Sequence, residues 1–390
     1  MNMTIARSII AAAALSGAAA CVSATPNAPI ASAERLDGAQ EALRPYYAEL
    51  ARNTDLPSIS TPELAADTLI TRIAVGSCNN QFRSQDIWQT IAASNPQAML
   101  MIGDNVYADT GFKGEGDLAS FVANYRAQAQ HREFTDFAAR VPVMATWDDH
   151  DYGPNDSGGS FFGKAYSETI FESFWASSDD VRSRPGVYFS RTYGAEGQRV
   201  QLIVLDTRYF RDDLVAKPYS ASGYPLGNYQ PSADPSADVL GENQSRWLAD
   251  QLAQPADLRI VVSSIQVITD AHDFESWENF PAARERLYSA LSARNGGGLV
   301  MLSGDRHAGA IYRHSPPALG EHLWELTASS LNMAFPRDDA SERELDPRRS
   351  TEMISQENFG LVDIDWAQRA VTLRLLSDEG TEFASRTFGF

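Results

Sequence analysis

From residue 71 onward, short apolar runs recur at 72–75, 98–102, 141–146, 200–205, 259–265, 299–302, 323–326, 360–364 and 370–375. Their length suits strands. Most lack the strict alternation of a half-solvated strand, which predicts strands buried on both faces. Between several of them, helical periodicity appears at 85–93, 118–130, 165–175, 243–254 and 281–293. Alternating strands and helices predict one α/β domain with helices on its outer sides. Two stretches break the rhythm. Residues 211–241 are dense in Pro, Ser, Tyr, Gly and Asp, and 333–357 are strongly charged and contain Pro336 and Pro347. Loops of that length in a compact domain are lids or unstructured. No repeat of fixed period is visible.

The N-terminal residues have a different character. Arg7 precedes an apolar run at 9–20 and a series of small residues. Roughly a dozen apolar residues fall short of the ~20 that span a bilayer, so residues 1–24 are expected to be an export signal. Ala18-Ala19-Ala20-Cys21 resembles a lipoprotein cleavage box, which would lipidate Cys21, and Val22-Ser23-Ala24 would serve an ordinary signal peptidase. The expected location is periplasmic or lipid-anchored at a bacterial cell envelope. Residues 25–68, rich in Ala, Pro, Ser and Thr with a helical stretch at 34–52, predict a tether and arm. The catalytic domain is expected over 69–390.

The 43% hydrophobic content supplies a large core, while the net charge of −19 argues against coating nucleic acid, which needs clustered Lys and Arg. Any anion site must then be inverted locally by metal ions or arginines. Apart from Cys21 the only cysteine is Cys78. A lone thiol in an oxidising compartment is a liability unless something occupies it.

Five strand ends run into polar clusters: Gly76-Ser77-Cys78-Asn79, Gly103-Asp104-Asn105-Val106-Tyr107-Ala108-Asp109, Trp147-Asp148-Asp149-His150-Asp151, Asp206-Thr207-Arg208 and Gly304-Asp305-Arg306-His307. Ligands of open α/β sheets sit beyond the carboxyl ends of strands. Any one of these motifs could be a turn, but their joint occurrence on successive strand ends points to a site. Asp104, Asp109, Asp148, Asp149, Asp151 and Asp305 are expected to converge, with only Arg208 and Arg306 as nearby cations. Desolvating several carboxylates together is costly without counter-charge. Two cations sharing a carboxylate such as Asp104 would supply it, and such a pair can clamp the entering and leaving oxygens of an in-line displacement at phosphorus. His131, His272, His314 and His322 lack such contexts and are expected at the surface or behind the site.

Together these motifs resemble the alkaline phosphatase D (PhoD-like) family of metallophosphatases, with supporting similarity at Ser263-Ser264-Ile265-Gln266, Glu275-Ser276-Trp277 and Asn358-Phe359-Gly360. The resemblance implies a four-layer α/β/β/α fold with two central sheets and hydrolysis of phosphate mono- and diesters. It implies an iron(III) site at Cys78, Asp104, Tyr107 and His307. It further implies calcium or another divalent ion at Asp104, Asp148, Asp149 and Asp305, with Asp149 the better match to the position before the histidine. Thiolate and imidazole do suit a transition metal, and carboxylates a hard cation. His150 falls where the family places a histidine at the phosphoryl group, and Arg208 is expected to grip phosphoryl oxygens. The expected substrate is a small phosphate ester, nucleotide or phospholipid-type compound. The arm is too short for the separate β-domain of some members, and no twin-arginine pair is present. Two other readings remain: a hydrolase with Cys78 as nucleophile and His150 or His307 as base, and a non-catalytic binding lipoprotein.

Overall fold

The computed structural model describes residues 32–218, 227–335 and 344–390. The expected export signal and Cys21 lie outside the described residues, as do 219–226 and 336–343 within the two long loops. No helix among the described residues is long and apolar enough to cross a membrane.

The strands in chain order are β1 (Arg72–Gly76), β2 (Ala98–Ile102), β3 (Val143–Thr146), β4 (Phe189–Tyr193), β5 (Val200–Val204), β6 (Val215–Ala216), β7 (Tyr229–Gln230), β8 (Leu258–Val262), β9 (Gly298–Ser303), β10 (Ala310–His314), β11 (Leu323–Thr327), β12 (Asn358–Asp365), β13 (Ala370–Ser377) and β14 (Glu382–Gly389). They form two six-stranded sheets, ordered β14-β13-β12-β1-β2-β3 and β10-β11-β9-β8-β5-β4, and a small β6-β7 ribbon. Each large sheet is mixed. β1, β2 and β3 are parallel, with β12 antiparallel to β1. β5, β8, β9 and β11 are parallel, with β4 and β10 antiparallel at the edges. The helices are α1 (Ser32–Asn53), α2 (Ile87–Ala93), α3 (Ala119–Gln128), α4 (Arg132–Ala138), α5 (Asp149–Tyr152), α6 (Lys164–Phe174), α7 (Asp179–Arg182), α8 (Gly241–Leu252) and α9 (Pro281–Ser292).

The two-residue period of a strand explains the layering. In β5, Leu202 and Val204 join an apolar cluster that includes strands of both sheets. Ile203, and Leu205 just beyond it, join a second cluster with Leu248 and Leu252 of α8 and Leu287 and Leu291 of α9. β8 and β9 divide their side chains the same way. A continuous apolar run therefore serves the contact between the sheets on one side and the helices on the other.

Register sets where the loops emerge. Gly76 pairs with Met101, and Ile102 with Thr146, so the ends of β1, β2 and β3 lie nearly level. Val204, Val262 and Leu302 are likewise aligned across β5, β8 and β9. The arm does not hang as a tether over its described part. Tyr47 of α1 stacks on Tyr166 of α6 at 5.4 Å. Ile59 N–H donates to Phe174 O at 2.9 Å, and Thr61 Oγ1 to Val141 O at 3.1 Å.

The two sheets pack closely at Gly360 of β12, where an added Cβ would lie 2.6 Å from Val75 Cγ1 of the same sheet and 2.8 Å from Leu326 Cδ2 of the other. Gly360→Ala is expected to lower unfolding free energy by about 1–3 kcal/mol through overpacking. Denaturant titration would measure this, and an unchanged midpoint would contradict the close approach.

Candidate active site

Three strand-end loops meet at Asp104. The Gly103 carbonyl accepts from Cys78 N–H at 3.1 Å, and the Asp104 carbonyl from Asn79 N–H at 2.7 Å, tying the β1 loop to the β2 loop. The β3 loop is held by Asp151. Its buried carboxylate accepts from the backbone N–H groups of Asn105 and Val106 at 3.0 Å and of Asp148 at 3.1 Å. Asp151 is thus a structural staple that converges with the others without belonging to any of the metal-donor groupings below. Two glycines permit the approach. Gly103 has φ +116°, and a Cβ there would lie 2.5 Å from Asp148 Cβ; a Cβ at Gly304 would lie 2.6 Å from Ser77 Oγ.

Four residues of the cluster carry left-handed backbone: Cys78 (φ 56°), Asp104 (49°), Asp305 (64°) and His307 (52°). Non-glycine residues rarely adopt this region, and such strain gathers at functional sites. The turns are secured from outside the cluster. His307 N–H donates to Ser329 Oγ at 2.8 Å, and Leu331 N–H to Ser77 O at 2.9 Å.

The donor atoms fall into overlapping groups, each gathered within 4.8 Å: Cys78, Asp104 and His307; Asp104, Asp149 and His150; Asp104, Asp148, Asp149 and Asp305; and Asp149, Asp156 and Glu275. Asp104 belongs to three of them. Tyr107 reaches the first group, its hydroxyl 3.5 Å from Asp104 Oδ2 and 3.2 Å from His307 Nε2. His307 Nδ1 donates to the Met333 carbonyl at 2.6 Å, leaving Nε2 as the unprotonated nitrogen. Burial pushes His307 down to about 4, which keeps the imidazole neutral as a ligand must be.

Burial raises Asp104 and Asp305 well above the usual carboxylate range, and neighbouring carboxylates add to it. Burial also lifts Asp148 to about 7 against the opposing pull of Arg208. Asp148 Oδ2 and Asp149 Oδ1 are buried without a hydrogen-bond donor. Such a cluster holds more acids than the positive charge beside it, and its donors match two kinds of cation: thiolate, imidazole and phenol in one group with Asp104, carboxylates in another.

Arg208 occupies an unexpected position. It is fully buried beneath the acids, with Nε 2.5 Å from Asp148 Oδ1 and Nη1 2.5 Å from Glu275 Oε2. Its charge is committed to the floor, and it does not line the cleft. The arginine lining the cleft is Arg306, whose Nη2 is paired with Glu344.

His150 lines the same cleft of about 460 Å³. Its Nδ1 is held by Asp109 Oδ1 at 2.9 Å, which leaves Nε2 for a ligand. Burial lowers its proton affinity, but Asp149, Asp104 and Asp109 together raise it to about 11. Cys78 is wholly buried, and burial pushes its thiol up to about 12. Its hydrogen-bonding neighbours are Ser77, Asp104 and Ser329, none of them a histidine base.

Sequence reasoning left Asp156 and Glu275 out of the site. Asp156 N–H donates to Asp149 Oδ2 at 2.7 Å, and the Asn155-Asp156 continuation of the acidic motif could have suggested it. Glu275 is held by Arg208 and by Arg211, whose Nε is 3.0 Å away. The other histidines stay outside the donor groups. His131 bonds Gln81 O, whose side chain holds Tyr107 N–H, and buried His272 bonds Gln266. His314 and His322 lie on or beside the β10–β11 hairpin.

A sequence profile of the PhoD-like phosphatase family matches residues 73–375. Alkaline phosphatase D of Bacillus subtilis (strain 168) is 26% identical over a 209-residue alignment that covers 48% of this chain and 34% of that protein. The chain thus spans about a third of the curated relative it matches. The solved structure of PhoD superposes with a TM-score of 0.62 at 18% identity, covering 84% of this chain and 70% of the other. At that identity the likeness concerns the fold. With a profile match over most of its length, the chain belongs to the PhoD-like phosphatase family.

Proposed function

We propose that this protein is an exported, metal-dependent phosphoesterase acting on phosphate monoesters, diesters or both. The observation that carries the reading is Asp104, one buried carboxylate common to a sulfur-and-nitrogen donor group and to an all-carboxylate group. The first group, with Tyr107, suits iron(III), and the second suits calcium or another hard divalent ion. Bound there, such cations would neutralise phosphoryl charge and activate water. Export is supported by the apolar run at 9–20 that follows Arg7.

The chain's own residues divide the remaining work. His150, fixed through Nδ1 with Nε2 left for a ligand, is suited to give a proton to the leaving oxygen or to stabilise charge on the phosphoryl group. Asp109 is a positioning residue, because it acts by holding that imidazole. Arg208 neutralises Asp148 and Glu275 and so keeps the floor compatible with an anionic substrate. Arg306 takes over the expected role of Arg208 as the cation facing the cleft. A Cys78 nucleophile is disfavoured by its complete burial, which also pushes the thiol up to about 12.

In the full protein, Cys78→Ala should lower iron content and activity together by elemental analysis and ester hydrolysis; full metal with full rate would remove the ligand role. His150→Asn should reduce kcat by roughly 10²–10⁴-fold with metal content near wild type, and Asp109→Asn by a smaller factor in the same direction. Loss of metal in His150→Asn would move that residue into the coordination shell. Iron-loaded protein should carry a visible phenolate charge-transfer band, and Tyr107→Phe should lose it while remaining folded by circular dichroism. A colourless wild type with stoichiometric ferric iron would exclude Tyr107 as a ligand.

A further inference from the structure

The cleft has a second chemical character at its rim. Seven large apolar side chains are exposed among the described residues, and two of them, Phe274 (36% exposed) and Phe335 (53%), line this one cleft. Both rings are already supported on one side. Phe335 stacks on the His307 imidazole, with centroids 4.1 Å apart and planes 9° apart. The Arg306 guanidinium lies over Phe274 at 4.7 Å from its centroid. The supports are consecutive residues of the loop after β9, so both rings are tied to the loop that carries donor residues. Their remaining exposed area is what a ligand can cover.

The rim also carries polar groups able to read an edge. Asn155 and Asn228 are exposed, line the same cleft, and their side-chain amides have no partner among the described residues. An acyl chain would cover the rings but would set hydrocarbon against two amides. A bare sugar or glycerol would satisfy the amides and leave the rings in water. A flat group with an apolar face and a hydrogen-bonding edge satisfies both.

Resting on the phosphoesterase reading above, we propose that the cleft selects phosphate esters whose organic part ends in a planar heteroaromatic group of nucleobase type, seated on Phe335 and Phe274. Stacking of this kind tolerates different bases, because each has a π-face. The supported rings are pre-ordered, so little side-chain freedom is lost on binding.

Adenosine 5′-monophosphate and ribose 5-phosphate test this directly, because they release the same sugar hydroxyl and differ in the base alone. The expected kcat/KM ratio is about tenfold in favour of the nucleotide. Phe335→Leu should collapse that ratio toward one, whereas Phe335→Trp should preserve it. A wild-type ratio near one, or a ratio that survives Phe335→Leu, overturns the proposal. So does a preference for a monoacylglycerol phosphate over glycerol phosphate that Phe335→Leu retains, since that would make the rim a seat for a flexible chain. Calorimetric binding of the same two sugar phosphates separates the two levels of inference. If neither they nor their methyl phosphodiesters are hydrolysed, the phosphoesterase reading fails; tighter binding of the nucleotide that Phe335→Leu abolishes would still establish the aromatic seat, and equal binding would sink it.

Discussion

Several carboxylates share one buried region, and most of the surrounding structure can be understood as the means of keeping them there. Asp104, Asp148 and Asp149 are almost wholly removed from water. Removing ionised groups from water costs several kcal/mol each unless they are paired. The fold answers in two ways. Beneath the acids, Arg208 is sandwiched by Asp148 and Glu275, and Arg211 reinforces Glu275 from the other side. Around Asp104, the remaining imbalance is left to whatever cations the donor groups take up. The overall acidity of the chain is therefore compatible with an anionic substrate, because the sign of the potential in the cleft is set locally.

Backbone architecture makes the gathering feasible. Level registers in the two sheets bring loops out side by side, and the loops then bond to one another. Asp151 shows the principle: its carboxylate spends its capacity on backbone N–H groups of two different loops. A carboxylate used in this way is adjacent in sequence to the candidate ligands yet performs none of their chemistry.

The central strands and their terminal motifs were legible because strands buried on both faces read as continuous apolar runs, and acids recur together at their ends. β4, β10 and β14 were not, for a related reason. In β14, Glu382–Gly389, no residue is buried, and charged Glu382 and Arg386 interrupt any apolar pattern. Helical periodicity at 118–130 corresponds to α3, which stops at Gln128, whereas the short α4 beginning at Arg132 was not foreseen. Within the site, residue types that bind metals could be read from sequence, whereas the direction of a charge could not. Arg208 and Arg306 look equivalent as residues following strands; one is fully buried between acids and the other lines the cleft. Asp156, Tyr229, Phe274 and Phe335 come from four separate stretches that only the tertiary fold unites.

The left-handed backbone at Cys78 has an evolutionary consequence. Aspartate, asparagine and histidine enter that region more readily than most residues, so Asp104, Asp305 and His307 sit where conformation and donor chemistry agree. Cysteine has no such preference. Random drift at position 78 toward glycine or asparagine would relax the chain while discarding the soft donor, and drift toward valine or threonine would fail on both counts. The thiol is thus the member of the cluster that local conformation favours least, and a descendant chain that ceased to need a sulfur ligand would be expected to lose it first.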